Sequence, residues 1–248
     1  MTRPLGLITG GTRGIGLATA LRLAESGWDL VLGYARDDEA AQAAVAQVET
    51  QGVACSAVRS DITEASGVDA LLSAAAEQGR ITGVVNNAGA TLNLAPLAET
   101  PVDVIQRTVD LNLTAALLVA RAAVRAMGQS YGGTGGVLVN ISSSAATLGS
   151  PREYVQYAAA KAGVDTMTVG LAQEVADDGV RVVGVAPGLV NTGIHADAGE
   201  PGRPERVAPS IPLRRAGEPA EIAEAIAWLM SDAASYVTGS TLRVAGGR

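Results

Sequence analysis

The chain has 248 residues, a formal net charge of −7 at pH 7 and 48% apolar residues, and 17% of its residues are charged. A chain of this length fits one large domain, and the absence of clustered basic residues argues against nucleic acid as a partner. The single cysteine, Cys55, excludes an internal disulfide and a cysteine-based metal cluster. No apolar run reaches the roughly 18 residues of a membrane helix, and the start of the chain lacks the apolar core of a signal peptide. We therefore expect one cytoplasmic domain over residues 1–248, without a metal ion.

Short runs rich in Val, Leu and Ile alternate with longer stretches whose apolar residues recur at helical spacing. The predicted strands are 5–8, 29–33, 55–59, 83–86, 137–142, 180–186 and 241–244, and the predicted helices are 14–26, 37–51, 64–78, 102–127, 154–178 and 218–231. Continuous apolar strands of this kind are typical of parallel sheets covered on both faces. The alternation predicts a single-domain α/β Rossmann fold, a doubly wound seven-stranded parallel sheet with helices on both faces. In such sheets ligands bind beyond the carboxyl ends of the strands.

A glycine-rich turn, Thr9-Gly10-Gly11-Thr12-Arg13-Gly14-Ile15-Gly16, joins the first predicted strand to the first helix. Glycines let the backbone approach a pyrophosphate, and the helix N-terminus offers it unpaired N–H groups. Because the strand–turn–helix context of the motif is present, the sequence predicts a dinucleotide site. The expected cofactor contacts in this turn are Gly10, Thr12, Arg13, Gly14, Ile15 and Gly16.

The end of the second strand bears on the choice between NAD and NADP. NAD sites usually place an acidic residue there, on the ribose 2′-hydroxyl, whereas this chain has Tyr34, followed by Ala35 and Arg36. Together with Arg13, Arg36 is suited to clamp a 2′-phosphate with paired donors. We predict NADP, with NAD as the alternative; two solvated arginines would have no such role.

Lys161, the only lysine, follows Tyr157 by four residues, and the other seventeen basic side chains are arginine. Residues four apart share a helix face, so this pair can point into one site. A free phenol has a pKa of about 10. An ammonium about 5 Å away, at an effective dielectric constant of about 20, would lower that pKa by about two. The pair is therefore predicted to act as an acid–base group, with a solvated helix face as the alternative.

The motifs together resemble the short-chain dehydrogenase/reductase superfamily over nearly the whole chain. The matching segments are Thr9 to Gly16, Asn86-Asn87-Ala88-Gly89, Asn112, Asn140-Ile141-Ser142-Ser143, Tyr157 to Lys161 and Pro187-Gly188-Leu189-Val190-Asn191-Thr192. Within the superfamily the chain is most similar to 3-oxoacyl-carrier-protein reductases and glucose dehydrogenase-like reductases. The resemblance implies an NADP(H)-dependent oxidoreductase that interconverts a carbonyl compound and an alcohol by hydride transfer. It also implies a small-molecule substrate, either a 3-oxoacyl thioester or a sugar or polyol.

The resemblance implies four catalytic residues, Asn112, Ser143, Tyr157 and Lys161. Tyr157 would protonate the substrate oxygen, and Ser143 would hydrogen-bond and polarise that oxygen. Lys161 would also hold the ribose hydroxyls of the cofactor. Asn112 would fix a water molecule that relays protons to Lys161.

The serine and tyrosine assignments each have a rival. Alignment at the strand end gives Ser143, whereas the usual spacing to the tyrosine gives Ser144, and we take the strand end as primary. Ser142 is expected to be structural. Tyr154 could replace Tyr157, but no lysine follows it by four residues.

The resemblance implies further cofactor contacts after strands three, four and six. Asp61 would contact the adenine, although a helix N-cap or turn role explains it equally well. Asn86 to Gly89 would border the adenosine ribose, with a structural turn as an alternative that is compatible with this role. Residues 187–192 would meet the nicotinamide amide through backbone groups and the Thr192 hydroxyl. The contacts expected on this basis are Asp61, Ile62, Asn87, Ala88, Gly89, Tyr157, Lys161, Pro187, Gly188, Val190 and Thr192.

Residues 193–213 lack clean periodicity and contain four prolines. Loops this long are usually functional or disordered, and this one resembles the mobile substrate lid of the family. It contains His195, the only histidine, for which solvation and substrate contact are the alternatives. We expect the lid and residues 91–100 to select the substrate. A basic surface for an acyl carrier protein would draw on Arg203, Arg206, Arg214 and Arg215, among which glutamates are interspersed.

Two other functions compete with this interpretation. Residues 128–132 fit the hydrolase pattern G-x-S-x-G with Ser130 as nucleophile, and Asp165 and His195 follow in hydrolase order. That motif requires a strand before the serine and a helix after it, and here the order is reversed. A non-catalytic NADP-binding regulator on the same fold is the second alternative, but the presence of both Tyr157 and Lys161 favours an enzyme.

The resemblance also implies a homo-oligomer, a tetramer or a dimer. The contacts would involve the long helices around Leu113 and Ala162 and the C-terminal strand. Burial of these small apolar faces within the monomer is the alternative.

Overall fold

The computed structural model describes residues 3–248, which form a seven-stranded sheet between two layers of helices. The order across the sheet is β3-β2-β1-β4-β5-β6-β7, and all neighbouring strands are parallel. The predicted Rossmann fold is confirmed. The strands are β1 (Leu5–Thr9), β2 (Asp29–Tyr34), β3 (Cys55–Arg59), β4 (Ile81–Asn86), β5 (Gly136–Ile141), β6 (Val180–Pro187) and β7 (Thr241–Val244).

Helices cover both faces of the sheet. The helices are α1 (Gly14–Glu25), α2 (Asp38–Glu49), α3 (Ala65–Gln78), α4 (Val102–Val109), α5 (Ala115–Met127), α6 (Ala145–Leu148), α7 (Val155–Glu174), α8 (Ile194–Asp197), α9 (Arg203–Val207) and α10 (Pro219–Met230). One apolar core holds α3, α5 and α7, and the other holds α1, α2 and α10. No helix among residues 3–248 has the length and apolar character needed to cross a lipid bilayer.

Five strands, β1, β2, β4, β5 and β6, are almost entirely apolar because each one contributes buried side chains to both cores. Leu7 faces one core and Ile8 the other, and both are fully buried. Val182 and Val183 repeat this alternation on β6. Successive side chains of a strand point to opposite faces, so a sheet covered on both sides requires continuous apolar runs.

Three predicted elements differ from the structure, and α6 was not predicted. The predicted helix 154–178 ends at Glu174 and is followed by a 3₁₀ turn over Ala176–Asp178. The predicted single helix 102–127 is interrupted by a π-turn over Asp110–Thr114 that joins α4 to α5. Such turns are most frequent at functional sites. The segment 193–213, predicted without regular structure, contains α8, α9 and a 3₁₀ turn over Ala208–Ser210. Helices this short carry too few periodic positions to be recognised from sequence.

Candidate active site

The site lies at the carboxyl edge of the sheet, where β1, β4, β5 and β6 end. A buried amide ladder holds this edge to the helices behind it. The Asn86 amide donates to Asn140 Oδ1 at 3.1 Å and to the Ala116 carbonyl at 2.9 Å, and the Asn140 amide donates to Thr168 Oγ1 at 3.0 Å. Since Ala116 lies on α5 and Thr168 on α7, the strand ends and the two helices keep one relative position.

The glycine turn after β1 has the form of an anion cradle. A Cβ on Gly16 would lie 2.1 Å from the Gly10 carbonyl oxygen, so only glycine allows α1 to pack this close to the turn. Gly14 adopts a φ of +53°, a left-handed conformation that suits glycine. The first turn of α1 has no acidic residue and no side-chain cap. Its N–H groups and the positive end of the helix dipole therefore remain available to an anion, which fits the pyrophosphate of a dinucleotide.

The segment after β4 supports this cradle. Thr9 Oγ1 accepts hydrogen bonds from the backbone N–H groups of Asn87 and Ala88, at 2.9 and 3.0 Å. The Asn87 amide donates to the carbonyls of Thr9 and Gly10, at 2.9 and 3.1 Å. The sequence prediction placed these residues near the cofactor, and the structure shows that they also fix the shape of the turn.

At the end of β2, the structure shows side-chain contacts that the sequence did not predict. The Tyr34 hydroxyl donates to Asp38 Oδ1 at 2.8 Å, which raises the pKa of Tyr34 and brings a carboxylate into this corner. Arg13 pairs with Asp197 of α8, with 2.9 Å between the charged groups. Arg36 makes no ion pair or side-chain hydrogen bond within residues 3–248, which leaves its guanidinium available to a ligand.

The other expected cofactor contacts follow β3 and β6 in the chain. Asp61 forms a turn in which its Oδ1 accepts from the Thr63 N–H and hydroxyl, and these bonds lower the pKa of Asp61. The turn role considered for Asp61 is therefore present, and Ile62 beside it is buried. At the end of β6, the Gly188 N–H binds the Val244 carbonyl, and a Cβ on Gly14 would lie 3.4 Å from Thr192. Residues 187–192 thus lie next to the glycine turn, and Val190 is buried there.

Asn112 and Lys161 meet behind Gly89. A Cβ on Gly89 would lie 2.7 Å from Asn112 Oδ1 and 3.2 Å from Lys161 Nζ. The Asn112 amide donates to the carbonyls of Ala90 and Thr108, at 2.8 and 2.9 Å, and its Oδ1 accepts from the Ala90 N–H. The π-turn therefore places a side chain that clamps the segment after β4 directly beside the lysine.

Lys161 is buried, and its Nζ donates to the Ile141 carbonyl at 2.8 Å. Burial lowers its pKa to about 8, while the carboxylate of Asp165 acts in the opposite direction. An amine with this pKa is still mostly protonated at neutral pH. Lys161 Nζ lies 5.8 Å from the centre of the Tyr157 ring, as the four-residue spacing predicted.

Tyr157 is buried, and burial raises its pKa above the ordinary value, although the hydroxyl of Ser143 and the charge of Arg203 act against this. The predicted lowering of this pKa by Lys161 is therefore wrong for the protein chain by itself. Desolvation of the phenolate outweighs the charges around it. At neutral pH the phenol keeps its proton, so it is poised as a donor.

The three consecutive serines have separate surroundings. Ser142 Oγ donates to the Lys161 carbonyl at 3.2 Å and is buried, in agreement with a structural role. The Ser143 hydroxyl lowers the pKa of the Tyr157 phenol, and Ser143 Oγ also accepts a hydrogen bond from the Ala145 N–H at 3.2 Å. The Ser144 backbone N–H binds the Pro187 carbonyl at 2.8 Å, and Ser144 lies directly before α6. The structure thus brings Ser143 to the phenol.

The hydrolase constellation is not assembled. Ser130 lies in a 3₁₀ turn between α5 and β5, and its N–H binds Asp178 at 2.9 Å. Asp165 instead accepts from Thr241, and His195 Nε2 lies 3.2 Å from the Val190 carbonyl. The turn containing Ser130 precedes β5, at the edge of the sheet opposite to Tyr157, so these residues form no triad.

The segment 193–213, which the resemblance assigns to a substrate lid, contains contacts that the sequence did not suggest. His195 is buried, and burial together with Arg203 lowers its pKa, so it is neither solvated nor charged at neutral pH. The arginines considered as a basic surface are engaged elsewhere. Arg203 and Arg206 bind Glu153 and Glu200, Arg215 binds Glu221, and Arg214 donates to the Pro209 carbonyl. Glu153 lies 50 and 53 residues before Arg203 and Arg206, so its pairing with them leaves no short-range signal in the sequence.

Sequence comparisons relate the chain to known oxidoreductases. A family model described as enoyl-(acyl carrier protein) reductase matches residues 10–248. A protein of Escherichia coli (strain K12) named as an uncharacterized oxidoreductase, YgfF, is 43% identical over 245 residues, which is 98% of this chain and 99% of the relative. A 3-oxoacyl-(acyl-carrier-protein) reductase of Synechocystis is 39% identical over 249 residues, 100% of this chain and 97% of the relative.

Solved structures show the same architecture. A short-chain type dehydrogenase/reductase from Mycobacterium marinum superposes with a TM-score of 0.91 at 32% identity, covering 98% of this chain and 94% of that one. The chain therefore belongs to the short-chain dehydrogenase/reductase family, and it is an oxidoreductase. Members of this family bind NAD or NADP in the groove that the glycine turn lines.

Proposed function

We propose that the protein interconverts a ketone or aldehyde and the corresponding alcohol with NADP(H), using Tyr157 as the acid–base group. The observation that carries this proposal is the arrangement of Ser143, Tyr157 and Lys161 beside the glycine turn. The Ser143 hydroxyl acts on the Tyr157 phenol, and the buried Lys161 amine lies 5.8 Å from the centre of its ring. These groups lie at the carboxyl edge of the sheet, where α1 also begins.

In the reducing direction, a nicotinamide cofactor held by the glycine turn and by Lys161 would supply the hydride for the carbonyl carbon. Ser143 donates a hydrogen bond to the carbonyl oxygen and stabilises the negative charge that develops there. Tyr157 then transfers its phenolic proton to that oxygen, which completes the alcohol and leaves a phenolate. The raised pKa of Tyr157 keeps this proton in place at neutral pH until the oxygen has become basic.

Lys161 is proposed to help restore the protonated form of Tyr157 after the reaction. Its ammonium stabilises the phenolate electrostatically, because the two groups lie close together in a buried environment. Lys161 also lies against Gly89, in the segment proposed to border the ribose, so its remaining donors can hold the ribose hydroxyls. Asn112 is proposed to position a water that brings the replacement proton to Lys161.

Arg36 supports NADP as the preferred cofactor, because it is the arginine in this corner that makes no ion pair or side-chain hydrogen bond among residues 3–248. The pair between Arg13 and Asp197 makes Arg13 the weaker candidate for the 2′-phosphate. The carboxylate of Asp38 is already engaged by Tyr34 and by Arg59 at 3.7 Å. NAD remains the alternative, and the ratio of the NADPH and NADH dissociation constants decides between the two.

The wall beside the phenol supports a substrate with an apolar part next to its carbonyl group. Ala145, Tyr154 and Ala158 form a buried cluster with Tyr157, and Leu94 packs against it from the segment after β4. We propose a 3-oxoacyl thioester as the first substrate to test, and a sugar or polyol as the second. Because the four lid arginines are engaged by glutamates or by a backbone carbonyl, the lid offers little support for docking an acyl carrier protein.

Exposed apolar residues support the proposed homo-oligomer. Leu117 on α5 and Val169 on α7 are 47% and 45% exposed, and Leu242 on β7 is 40% exposed. These three elements are the ones through which the resemblance implies assembly. Sedimentation of the purified protein gives its mass in solution, and a monomer at micromolar concentration would refute an oligomer.

The test is a screen of carbonyl compounds with NADPH, read from the near-ultraviolet absorbance of the reduced cofactor. A 3-oxoacyl thioester, a sugar aldehyde, a cyclic ketone and a diketone cover the classes considered. Tyr157→Phe should lower kcat by about 100-fold or more, as expected for loss of a general acid. Tyr131→Phe is the matched control, because Tyr131 is 55% exposed near the opposite edge of the sheet.

An unchanged kcat in Tyr157→Phe, with cofactor affinity intact, would refute the proposed role of the phenol. NADPH binding without turnover of any compound would instead favour the non-catalytic regulator. Hydrolysis of an ester that Ser130→Ala abolishes would favour the hydrolase.

A further inference from the structure

Arg203, on α9 of the lid, is buried although it is an arginine on a surface segment. Its side chain is 5% exposed. One guanidinium nitrogen binds the Glu153 carboxylate and also donates to the Tyr154 hydroxyl at 2.8 Å, and Glu200 lies 3.8 Å from Arg203 Nε. Charged side chains are almost never buried unless they are paired. We call Glu153, Tyr154, Glu200 and Arg203 the lid clasp.

The clasp reaches the phenol of Tyr157 through one intervening ring. The Arg203 guanidinium lies 5.1 Å from the centre of the Tyr154 ring. The Tyr154 ring packs edge-to-face on Tyr157, with 5.4 Å between the centres and 87° between the planes. Aromatic pairs of this geometry are attractive and directional. The position of Arg203 therefore bears on the orientation of Tyr157.

Glu153 connects three segments that border the substrate. Its carboxylate binds Arg203 and Arg206 of the lid. Its backbone carbonyl accepts a hydrogen bond from the Ala95 N–H at 2.8 Å, in the segment after β4. Glu153 itself stands two residues before α7, the helix that carries Tyr157 and Lys161. One residue thus ties the lid, the segment after β4 and the start of α7 together.

The backbone leading into α7 is strained and needs contacts with other segments to stabilise it. Ser150 and Arg152 adopt φ values of +45° and +65°, in the left-handed region that is unfavourable for residues with a Cβ. Such conformations persist only where the surrounding structure imposes them, and they cluster at functional sites. The N-cap residue of α7, Tyr154, makes no side-chain capping bond. The clasp is attached directly after this strained stretch.

We propose that Arg203 is a positioning residue for Tyr157, and that it acts by holding Glu153 and Tyr154 in place. The inference rests on the proposed function, because it takes Tyr157 as the acid–base group. It assigns to a lid residue the task of orienting the phenol, rather than of touching the substrate. When the lid is in place, Arg203 holds Tyr157 in the orientation needed for proton transfer. When the lid is displaced, Tyr157 is less well oriented.

Three variants distinguish a positioning role of Arg203 from an effect of its charge alone. Arg203→Met keeps the length of the side chain and removes its donors. Arg203→Lys keeps the charge but replaces the planar fork by a single ammonium, which cannot hold both partners as well. Arg206→Met is the matched control, because Arg206 binds the same two glutamates but is 54% exposed and lies outside the contact with Tyr154.

In steady-state assays Arg203→Met should lower kcat by up to about 100-fold, the effect expected of misplacing a reacting group by about 1 Å. The KM for the carbonyl compound and the NADPH dissociation constant should change much less than kcat. Arg203→Lys should recover part of the loss. Arg206→Met should stay within about threefold of the original protein, as expected for exposed pairs.

Amide hydrogen exchange tests the same inference without turnover. Residues 149–157 should exchange faster in Arg203→Met than in the original protein, and Arg206→Met should leave that segment unchanged. If Arg203→Met is too unstable to purify, Tyr154→Phe removes only the hydroxyl acceptor and should give a smaller change of the same sign in both readouts.

Unchanged exchange and unchanged kcat in Arg203→Met would overturn the inference, and so would equal losses in Arg203→Met and Arg206→Met. A protein that reduces no carbonyl compound would refute the proposed function instead. In that case faster exchange in Arg203→Met alone would still support the tie between Arg203 and the start of α7.

Discussion

The buried amine of Lys161 should destabilise the folded protein at neutral pH, although the proposed reaction requires it. The side chain is 4% exposed, and its Nζ donates to the Ile141 carbonyl at 2.8 Å. Burial lowers its pKa from 10.5 to about 8, because the ammonium loses more hydration than its hydrogen bond and Asp165 restore. Replacing it in Lys161→Met removes this titration and leaves the other groups in place.

The sign follows from proton counting. Between about pH 8 and 10.5 the unfolded chain holds a proton on this amine that the folded chain has released. The free energy of unfolding of the original protein therefore rises with pH across that window. Below pH 8 both states are protonated, and the full destabilisation, roughly 3 kcal/mol, is present.

From about pH 7 to about pH 9.5, the original protein should gain about 2 kcal/mol of unfolding free energy relative to Lys161→Met. For a domain of this size that corresponds to a relative rise in melting temperature of roughly 4–8 °C. Urea unfolding of both proteins at the two pH values measures the difference. The same variant should lose most of its turnover, because the phenolate would lose its neighbouring cation.

The single lysine makes the direct test simple, since isotope-labelled lysine gives one side-chain signal for the whole protein. Its NMR titration should have a midpoint near 8. A midpoint above 10, or parallel stability curves for the original protein and Lys161→Met, would refute the reasoning that desolvation governs this amine.

Three further outcomes are expected. Gly89→Ala should lower kcat by roughly 10- to 100-fold, because the new Cβ would push on Asn112 and Lys161. Gly170→Ala on α7 is the control, because its Cβ would meet nothing within 4 Å and kcat should stay unchanged. Equal kcat values for the two variants would contradict this prediction. Ser143→Ala should reduce kcat by about 100-fold or more and Ser144→Ala by far less, and the reverse order would move the polarising role to Ser144. Arg36→Leu should weaken NADPH binding by about 10- to 100-fold in calorimetry and leave NADH binding nearly unchanged, and a parallel loss for both would exclude a contact with the 2′-phosphate.

Much of the fold could be predicted from sequence because its signals are local. The bounds of β3 and β7 agree with the prediction, since apolar runs flanked by turn residues identify short strands. The approach of Tyr157 to Lys161 follows from the pitch of one helix. The need for glycine at position 16 follows from the turn it closes. Each of these features depends on a few consecutive residues.

Local patterns were enough to predict the order of the elements, the glycine turn and the pairing of phenol and amine. The surroundings that set their chemistry come from distant parts of the chain. Burial in the folded protein raises the pKa of Tyr157 where a charge argument expected it to fall, and folding pairs Arg13 with Asp197 of α8. Folding also brings Arg203 to Glu153, fifty residues earlier in the chain. Desolvation and ion pairing depend on which distant segments meet, and no short stretch of sequence carries that information.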